Sequence, residues 1–415
     1  MKTVIARHCE CIALLALASV AFGQRILKTA SVQPRQIVGY FNEGTAESGE
    51  YTIKNIATSG AAQLLTHLDY AFGRVEDNHC QVMNADVALR HWYSAYTSVD
   101  GSADPAGASQ LRGTFHQIQE LKRQYPKLKV LISLGGWGQS GGFSSAAEPE
   151  HLREFVHSCV QTFIAGKFAS GTQEPGIFDG VDLDWEYPVA GGVNPGRPED
   201  TKNLTALVNE FRRQLDAFGP GLLLTAALPA EEEYYNNFEL KEISKEVDFI
   251  SVMAYDLHWN SEPITNFHSA LFHDSSDPSK PPLNERYGDF AVEGFLKTGV
   301  PPEKFILGVP FYGKGWRGVK DANHGLFQAV SGPVSSGGGY RELKALPQTA
   351  DRKYYPKVAS CTIWFRQKFW SYDCPEALKQ KLEYVKRHRL GGVMFWELSH
   401  DTRDSELLGT LAGVR

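Results

Sequence analysis

No run of lysine and arginine occurs in this chain, and its formal net charge is −6. Nucleic acid is therefore not expected as a partner, because it selects a clustered basic surface. No CxxC pair and no Cys/His spacing of the zinc-binding kind is present, so no metal is expected. No glycine-rich loop follows the first apolar run, which argues against a dinucleotide-binding open sheet. One apolar stretch, 12–22, lies near the N-terminus and is too short to span a bilayer. No second long one follows, so no membrane partner is expected. No Ser/Thr/Pro-rich linker and no internal repeat divides the chain. Cysteine is scarce, with six in 415 residues.

The N-terminal stretch has the order of a secretory signal. Lys2 and Arg7 supply positive charge, the apolar run follows, and Ala21-Phe22-Gly23 offers small residues at the positions a signal peptidase reads. Residues 1–23 are expected to be removed, leaving 24–415 as a secreted, extracellular protein that acts as a monomer. Cys9 and Cys11 would leave with the signal, and Cys80, Cys159, Cys361 and Cys374 would remain. Export permits disulfides. Cys361 and Cys374 flank an aromatic segment and are placed to close a hairpin. Cys159 sits in a helical pattern and reads as a small buried hydrophobe. Asn203-Leu204-Thr205 is a glycosylation sequon.

What the chain does have is short apolar runs, at 37–41, 68–72, 129–134, 180–186, 222–228, 247–254, 305–311 and 392–398. Most are continuous, as strands covered on both faces require. Between them lie segments of helical period at 110–124, 148–168, 201–218 and 375–388. Eight such strands alternating with helices predict an α/β fold, a (β/α)8 TIM barrel. About eighty residues separate the last two strands. Residues 316–372 there are rich in Gly, Tyr and Trp, with a turn at 335–339, and read as a small α+β insertion between strand 7 and strand 8.

The chemistry concentrates in the fourth run, Asp-Gly-Val-Asp-Leu-Asp-Trp-Glu at 179–186. Asp182, Asp184 and Glu186 recur at period two, which on a strand puts three carboxyls on one face. Like charges crowded together force at least one to hold a proton at neutral pH. A raised carboxyl pKa suits a general acid. In a barrel the working residues stand at the C-terminal strand ends. Tyr40, Phe72, Ser133, Gly135, Gly136, Trp137, Glu186, Met253, Tyr255, Asp256, Tyr312, Trp316, Trp396 and Glu397 all fall there or just beyond. Acids, hydroxyls and aromatics converging on one rim describe a sugar site. Glu231-Glu232-Glu233 reads as a solvated loop.

Asp179-x-x-Asp182-x-Asp184-x-Glu186 resembles the signature of the family 18 glycoside hydrolases, the chitinases. Ser133-Leu134-Gly135-Gly136 is similar to that family's third-strand motif, Met253-Ala254-Tyr255-Asp256 to its sixth, and Gly392-Val393-Met394-Phe395-Trp396 to its eighth. The match spans about residues 36–412, and the insertion falls where one branch of the family carries an α+β domain. The pattern departs after Asp256, where Leu257-His258-Trp259-Asn260 stands in place of an aromatic, His and Gly.

The resemblance implies retaining hydrolysis of β-1,4 bonds in chitin or chito-oligosaccharides, assisted by the substrate's 2-acetamido group and without a cofactor. It implies Glu186 as acid and base. Asp184 would hold the acetamido N–H, Asp182 would tune Asp184, and Tyr255 would orient the acetamido oxygen. Trp396 would floor the sugar, with Asp256, Met253, Trp137, Tyr187, Tyr40 and Phe72 as further contacts. Asp179, Ser133, Gly135 and Gly136 would give structural support. Trp259, Trp316, Trp364 and Trp370 either extend the cleft or build the insertion's own core. Two rivals stand beside the chitinase reading: an endo-β-N-acetylglucosaminidase acting on N-glycans, and a non-catalytic chitin-binding lectin.

Overall fold

A computed structural model describes residues 36–104, 110–168, 173–194, 196–335 and 338–413. The expected signal at 1–23 and part of the 335–339 turn lie outside the described residues. Eight parallel strands form the centre: Gln36–Asn42, His67–Glu76, Lys129–Gly135, Gly180–Asp184, Leu223–Pro229, Phe249–Met253, Phe305–Pro310 and Gly392–Trp396. Each pairs with the next, and the first pairs with both the second and the eighth, which closes the barrel. The fourth strand stops at Asp184, so Trp185 and Glu186 stand just beyond its end rather than within it.

Side-chain alternation sorts the residues of each strand into two environments. Leu68, Tyr70, Val181, Leu183 and Trp185 face outward and pack with residues such as Phe115 and Phe211 from the surrounding helices. A second, smaller apolar cluster joins Val38, Tyr40, Ala71, Tyr187, Phe249, Met253, Ile306 and Met394. Asp69, Ser133, Asp182, Asp184, Thr225 and Ser251 are also buried. Six polar side chains from the barrel strands need partners or protons, and that requirement shapes the site. Among the described residues no helix is long and apolar enough to cross a membrane.

Between the seventh and eighth strands the chain builds a separate sheet. Lys314–Arg317, Gly332–Pro333, Asp351–Tyr355, Ser360–Phe365 and Lys368–Tyr372 pair antiparallel, with the helix Tyr340–Lys344 among them. Cys361 bonds Cys374 and closes the hairpin of the last two strands. Trp316 is fully buried with Val319, Leu326, Val358 and Phe369, in a core that this region shares with Phe267 from the segment after the sixth strand. It therefore packs the insertion rather than lining the cleft. Trp370 is buried as well.

Cys159 is not a lone buried thiol. It is bonded to Cys80, 79 residues earlier, and ties the helix Leu152–Cys159 to the short strand His79–Val82 that extends the second barrel strand. Asp179 lies at the entry to the fourth strand. Its carboxylate accepts the Val130 N–H at 2.9 Å and pairs with Lys122 at 2.8 Å, fixing the start of the fourth strand against the third.

Candidate active site

The strand ends open into a cavity of about 440 Å³, within the range of small-ligand sites. Its walls hold Tyr40, Phe72, Trp137, Asp184, Glu186, Tyr187, Glu231, Met253, Tyr255, Asp256, Trp259, Tyr312, Trp396 and His400.

The glycines that end the third strand set the geometry. Gly135 and Gly136 both have positive φ, +103° and +85°, which glycine adopts at little cost. A Cβ on Gly135 would lie 2.3 Å from the Asp184 carbonyl oxygen, and one on Gly136 would lie 2.5 Å from the Phe72 ring. The close approach lets Gly136 N–H bond the Asp184 carbonyl at 2.8 Å. Ser140 completes the join. Its hydroxyl donates to the Asp184 carbonyl at 3.1 Å and accepts the Glu186 N–H at 3.0 Å. The backbone that carries Glu186 is thus held from both sides.

Asp182 lies below, fully buried, and receives three hydroxyls. Tyr40 Oη (2.9 Å) and Ser133 Oγ (2.7 Å) donate to its Oδ2, and Thr225 Oγ1 donates to its Oδ1 at 2.6 Å. Burial raises its pKa above the usual carboxylate value, and these donors oppose the rise. Hydrogen bonds to a carboxylate favour the anion. Asp184 has no such set: its Oδ1 has no partner among the described residues. Burial raises it strongly, and the charges of Glu186, Asp182 and Asp69 raise it further. Of the two, Asp184 is raised further and holds a proton more readily, while the three hydroxyls favour the anion on Asp182.

Glu186 faces the cavity. Burial pushes its carboxyl up to about 8, the charges of Asp256 and Glu231 add to this, and a hydrogen bond with Tyr187 opposes it. At neutral pH it is a proton donor. Asp256 is set the opposite way. Burial acts to raise it, but His268 and Lys314 prevail and hold it at about 2. Lys314 Nζ lies 2.7 Å from its Oδ1, and Tyr312 Oη donates to the same oxygen at 2.7 Å. The wall thus carries a proton-holding acid and a fixed anion.

Aromatic rings line the rest. Trp396 stacks on Phe72 (5.7 Å, 14°) and lies 5.6 Å from Tyr40. Tyr187 stacks on Tyr234. Trp137 is 46% exposed at the rim and lies 5.3 Å from Trp259, whose other neighbour is the Lys314 ammonium, 4.2 Å from its ring centre. Flat faces beside hydrogen-bonding groups suit pyranose rings.

Residues 36–401 match the pattern described as glycosyl hydrolases family 18. The chain belongs to that family. Chitinase C of Streptomyces lividans is 33% identical over 380 residues, covering 89% of this chain and 58% of that protein. Chitinase A1 of Niallia circulans is 32% identical over 432 residues, covering 94% and 60%. The chain thus spans about three fifths of the length of these curated relatives. The catalytic domain of psychrophilic chitinase B from Arthrobacter TAD20 has a TM-score of 0.84 at 32% identity, over 92% of this chain and 96% of that one. A family 18 N-acetylglucosaminidase from Paenibacillus barengoltzii has a TM-score of 0.72 at 28% identity, over 92% and 100%.

In this family 18 chain, the cavity wall brings together Glu186, Asp184, Tyr255, Trp396, Asp256, Met253, Trp137, Tyr187, Tyr40 and Phe72, with Asp182 beneath. Sequence reasoning missed Asp69, Ser140, Thr225, Lys314 and His400. It also misread Glu231 as solvated. That residue is 7% exposed and lines the cavity, while Glu232 beside it is exposed. Asp104, His116 and Glu120 are the one group among the described residues close enough to hold a cation. They are not part of the cavity lining, and Asp104 already bonds His116 Nδ1 at 2.7 Å.

Proposed function

We propose that this protein is a secreted chitinase that cleaves β-1,4 bonds between N-acetylglucosamine units with retention, using the substrate's own acetamido group. The observation that carries the reading is the unequal state of Asp182 and Asp184. A retaining glycosidase of the usual kind needs an ionised carboxylate at the anomeric carbon. Asp184 fills that place poorly, because it holds a proton against the Asp182 anion. A neutral acid is a weak nucleophile but a good partner for an amide. The acetamido oxygen is then the nucleophile that remains.

The steps follow. Glu186 gives its proton to the glycosidic oxygen as the C1–O bond breaks. The acetamido oxygen bonds C1 and forms an oxazolinium ion. Asp184 bonds the acetamido N–H through its carbonyl oxygen, and the Asp182 anion beneath it meets the positive charge. The Tyr255 hydroxyl orients the acetamido oxygen. Glu186, now a carboxylate, takes a proton from water, whose oxygen attacks C1 and reopens the ring with retained configuration. Trp396 floors the reacting sugar.

Secretion is supported by the N-terminal signal pattern and by two disulfides, which persist in oxidising compartments. Mass spectrometry of products from colloidal chitin and from an N-glycoprotein tests the reading. Chito-oligosaccharides from chitin alone support it, and released N-glycans move the protein to the endo-glycosidase class. Chitin binding without product makes it a lectin. Single N-acetylglucosamine units as the sole product would place it with the N-acetylglucosaminidases.

A further inference from the structure

Trp259 stands in the stretch Leu257-His258-Trp259-Asn260, where the chain departs from the family pattern, and the proposed steps do not use it. Its backbone is well fixed. The Glu262 carboxylate accepts the Trp259 N–H at 2.9 Å, and the Trp259 carbonyl accepts the Glu262 N–H at 2.9 Å. The other Glu262 oxygen lies 2.9 Å from Nδ1 of the buried His258. The Leu257 N–H bonds the His268 carbonyl at 3.0 Å and anchors the start of the stretch.

The ring is held by other parts of the fold. It meets the Trp137 ring at 5.3 Å, inclined by 32°, and the Lys314 ammonium lies 4.2 Å from its centre. Trp137, Trp259, Asp256 and Tyr312 all line the cavity. Lys314 opens the first strand of the insertion sheet, Lys314–Arg317, and pairs there with Ser371. Its side chain is 12% exposed, and its Nζ lies 2.7 Å from Asp256 Oδ1. One cation from the insertion thus touches both an anion and an indole of the loop after the sixth barrel strand.

Neutralising Asp256 does not by itself require a place over an indole. Tyr312 Oη at 2.7 Å and His268 Nδ1 at 3.4 Å already reach the same oxygen. A cation over an aromatic face is attracted by the ring's quadrupole, most strongly for tryptophan and where water is excluded. The contact also fixes the ring before any ligand arrives. A side chain that must be ordered on binding costs affinity, and one held in advance costs less.

We infer that Lys314 is a positioning residue: held by Asp256, it pins the Trp259 ring in the cavity wall as a face for a pyranose of the substrate, so that the insertion sheet helps set the grip on the sugar chain. This rests on the proposed chitinase reading for the nature of the ligand, and the test reads binding apart from turnover.

Calorimetry with chitohexaose, in the Glu186→Gln background so that the ligand is not consumed, measures that grip. Lys314→Met keeps the apolar stem and removes the charge. It is expected to weaken binding about three- to tenfold, on the scale of one cation–π contact. Lys314→Arg is expected to restore affinity to within about twofold, because a guanidinium both stacks on aromatic rings and pairs with carboxylates. Lys314→Gln keeps a donor for Asp256 but offers the ring no cation, and should bind as weakly as Lys314→Met. It also serves if Lys314→Met fails to fold. Adding Trp259→Leu to Lys314→Met should cost less than the product of the two single losses, since residues acting through one contact do not add. Glutamine matching arginine would overturn the inference and leave Lys314 as a partner of Asp256 alone. Full additivity with Trp259→Leu, or wild-type affinity in Lys314→Met, would overturn it as well. If the protein with Glu186 cuts no chitohexaose while the Glu186→Gln protein binds it, the chitinase reading falls and the affinities still decide on Lys314. If neither cutting nor binding occurs, both fall.

Discussion

Tyr40, at the end of the first barrel strand, donates a hydrogen bond of 2.9 Å to Asp182 on the fourth. It is one of three hydroxyls on that carboxylate, with Ser133 and Thr225. Four strands therefore meet at one buried acid. The arrangement fixes more than position. It favours the anion on Asp182 and leaves the proton to Asp184, the group that lines the cavity.

Removing a donor should disturb that assignment. Tyr40→Phe deletes one bond to an anion, an interaction of about 1.5–3 kcal/mol. We expect kcat on chito-oligosaccharides to fall about 10- to 100-fold. Ser133→Ala should act similarly, and the two effects should not add, because both act on Asp182 Oδ2. A kcat within twofold of wild type for both single variants would show that the charge on Asp182 is not what matters.

Glu186→Gln keeps the shape of the acid and removes its proton. General acid catalysis contributes about 10²- to 10⁴-fold, so turnover should drop by at least that range while oligosaccharide affinity, measured by calorimetry, is retained. An active variant would transfer the acid role to another group.

The pH dependence follows from the same residue. Glu186 has a pKa of about 8, raised by burial and then by its acidic neighbours, against the Tyr187 bond. It must be protonated to act, so kcat/KM should hold through neutrality and fall as pH rises through about 8, approaching tenfold per pH unit beyond. A limb near pH 5 would mean that Glu186 is ionised in the free protein.

Asp69 gives a stability prediction. It is fully buried, and neither carboxyl oxygen has a partner among the described residues. Burial, then Asp182, raises its pKa well above the usual value. A folded pKa above the unfolded one means that the native state binds the proton more tightly. Its contribution is full below about pH 4, the unfolded value, and is lost as pH rises toward the folded one. Asp69→Asn removes this dependence. Its Tm relative to wild type should therefore be higher at pH 8 than at pH 4, by roughly 2 °C for each kcal/mol. A Tm difference constant across that range would contradict the assigned protonation.

Much of this was legible in the sequence. The eight apolar runs became the eight strands because a doubly covered strand tolerates few polar residues. Asp182, Asp184 and Glu186 stood out because period two left no other face for them. Asp69 was hidden by the same rule, as one acid inside an apolar run with no second acid in phase. Glu231 was hidden by its neighbours. Three consecutive glutamates look solvated, and only the short helix after Glu231 turns the first inward and leaves Glu232 exposed. Ser140 and Thr225 act through hydroxyls that no local pattern distinguishes. Trp316 follows the seventh strand as a cleft residue would, but the sheet that buries it is built from strands some fifty residues later.

The Cys80–Cys159 bond had no local signal either, because its partners lie 79 residues apart. That separation is what gives it weight. A cross-link stabilises mainly by restricting the unfolded chain, and the restriction grows with the loop it closes. The loop here contains the whole third barrel strand, and the bond fastens a helix to the extension of the second. Cys80→Ser with Cys159→Ser should lower stability by about 4 kcal/mol. Cys361 and Cys374 close only 13 residues, within a hairpin already paired by its ladder. Their double serine variant should lose about 3 kcal/mol or less. Thermal unfolding with and without reductant checks both. Reductant should lower the wild-type Tm, should lower that of the Cys361/Cys374 variant further, and should leave a variant lacking all four cysteines unmoved. If losing the hairpin bond cost more than losing the long one, loop closure would not be the source of the stabilisation.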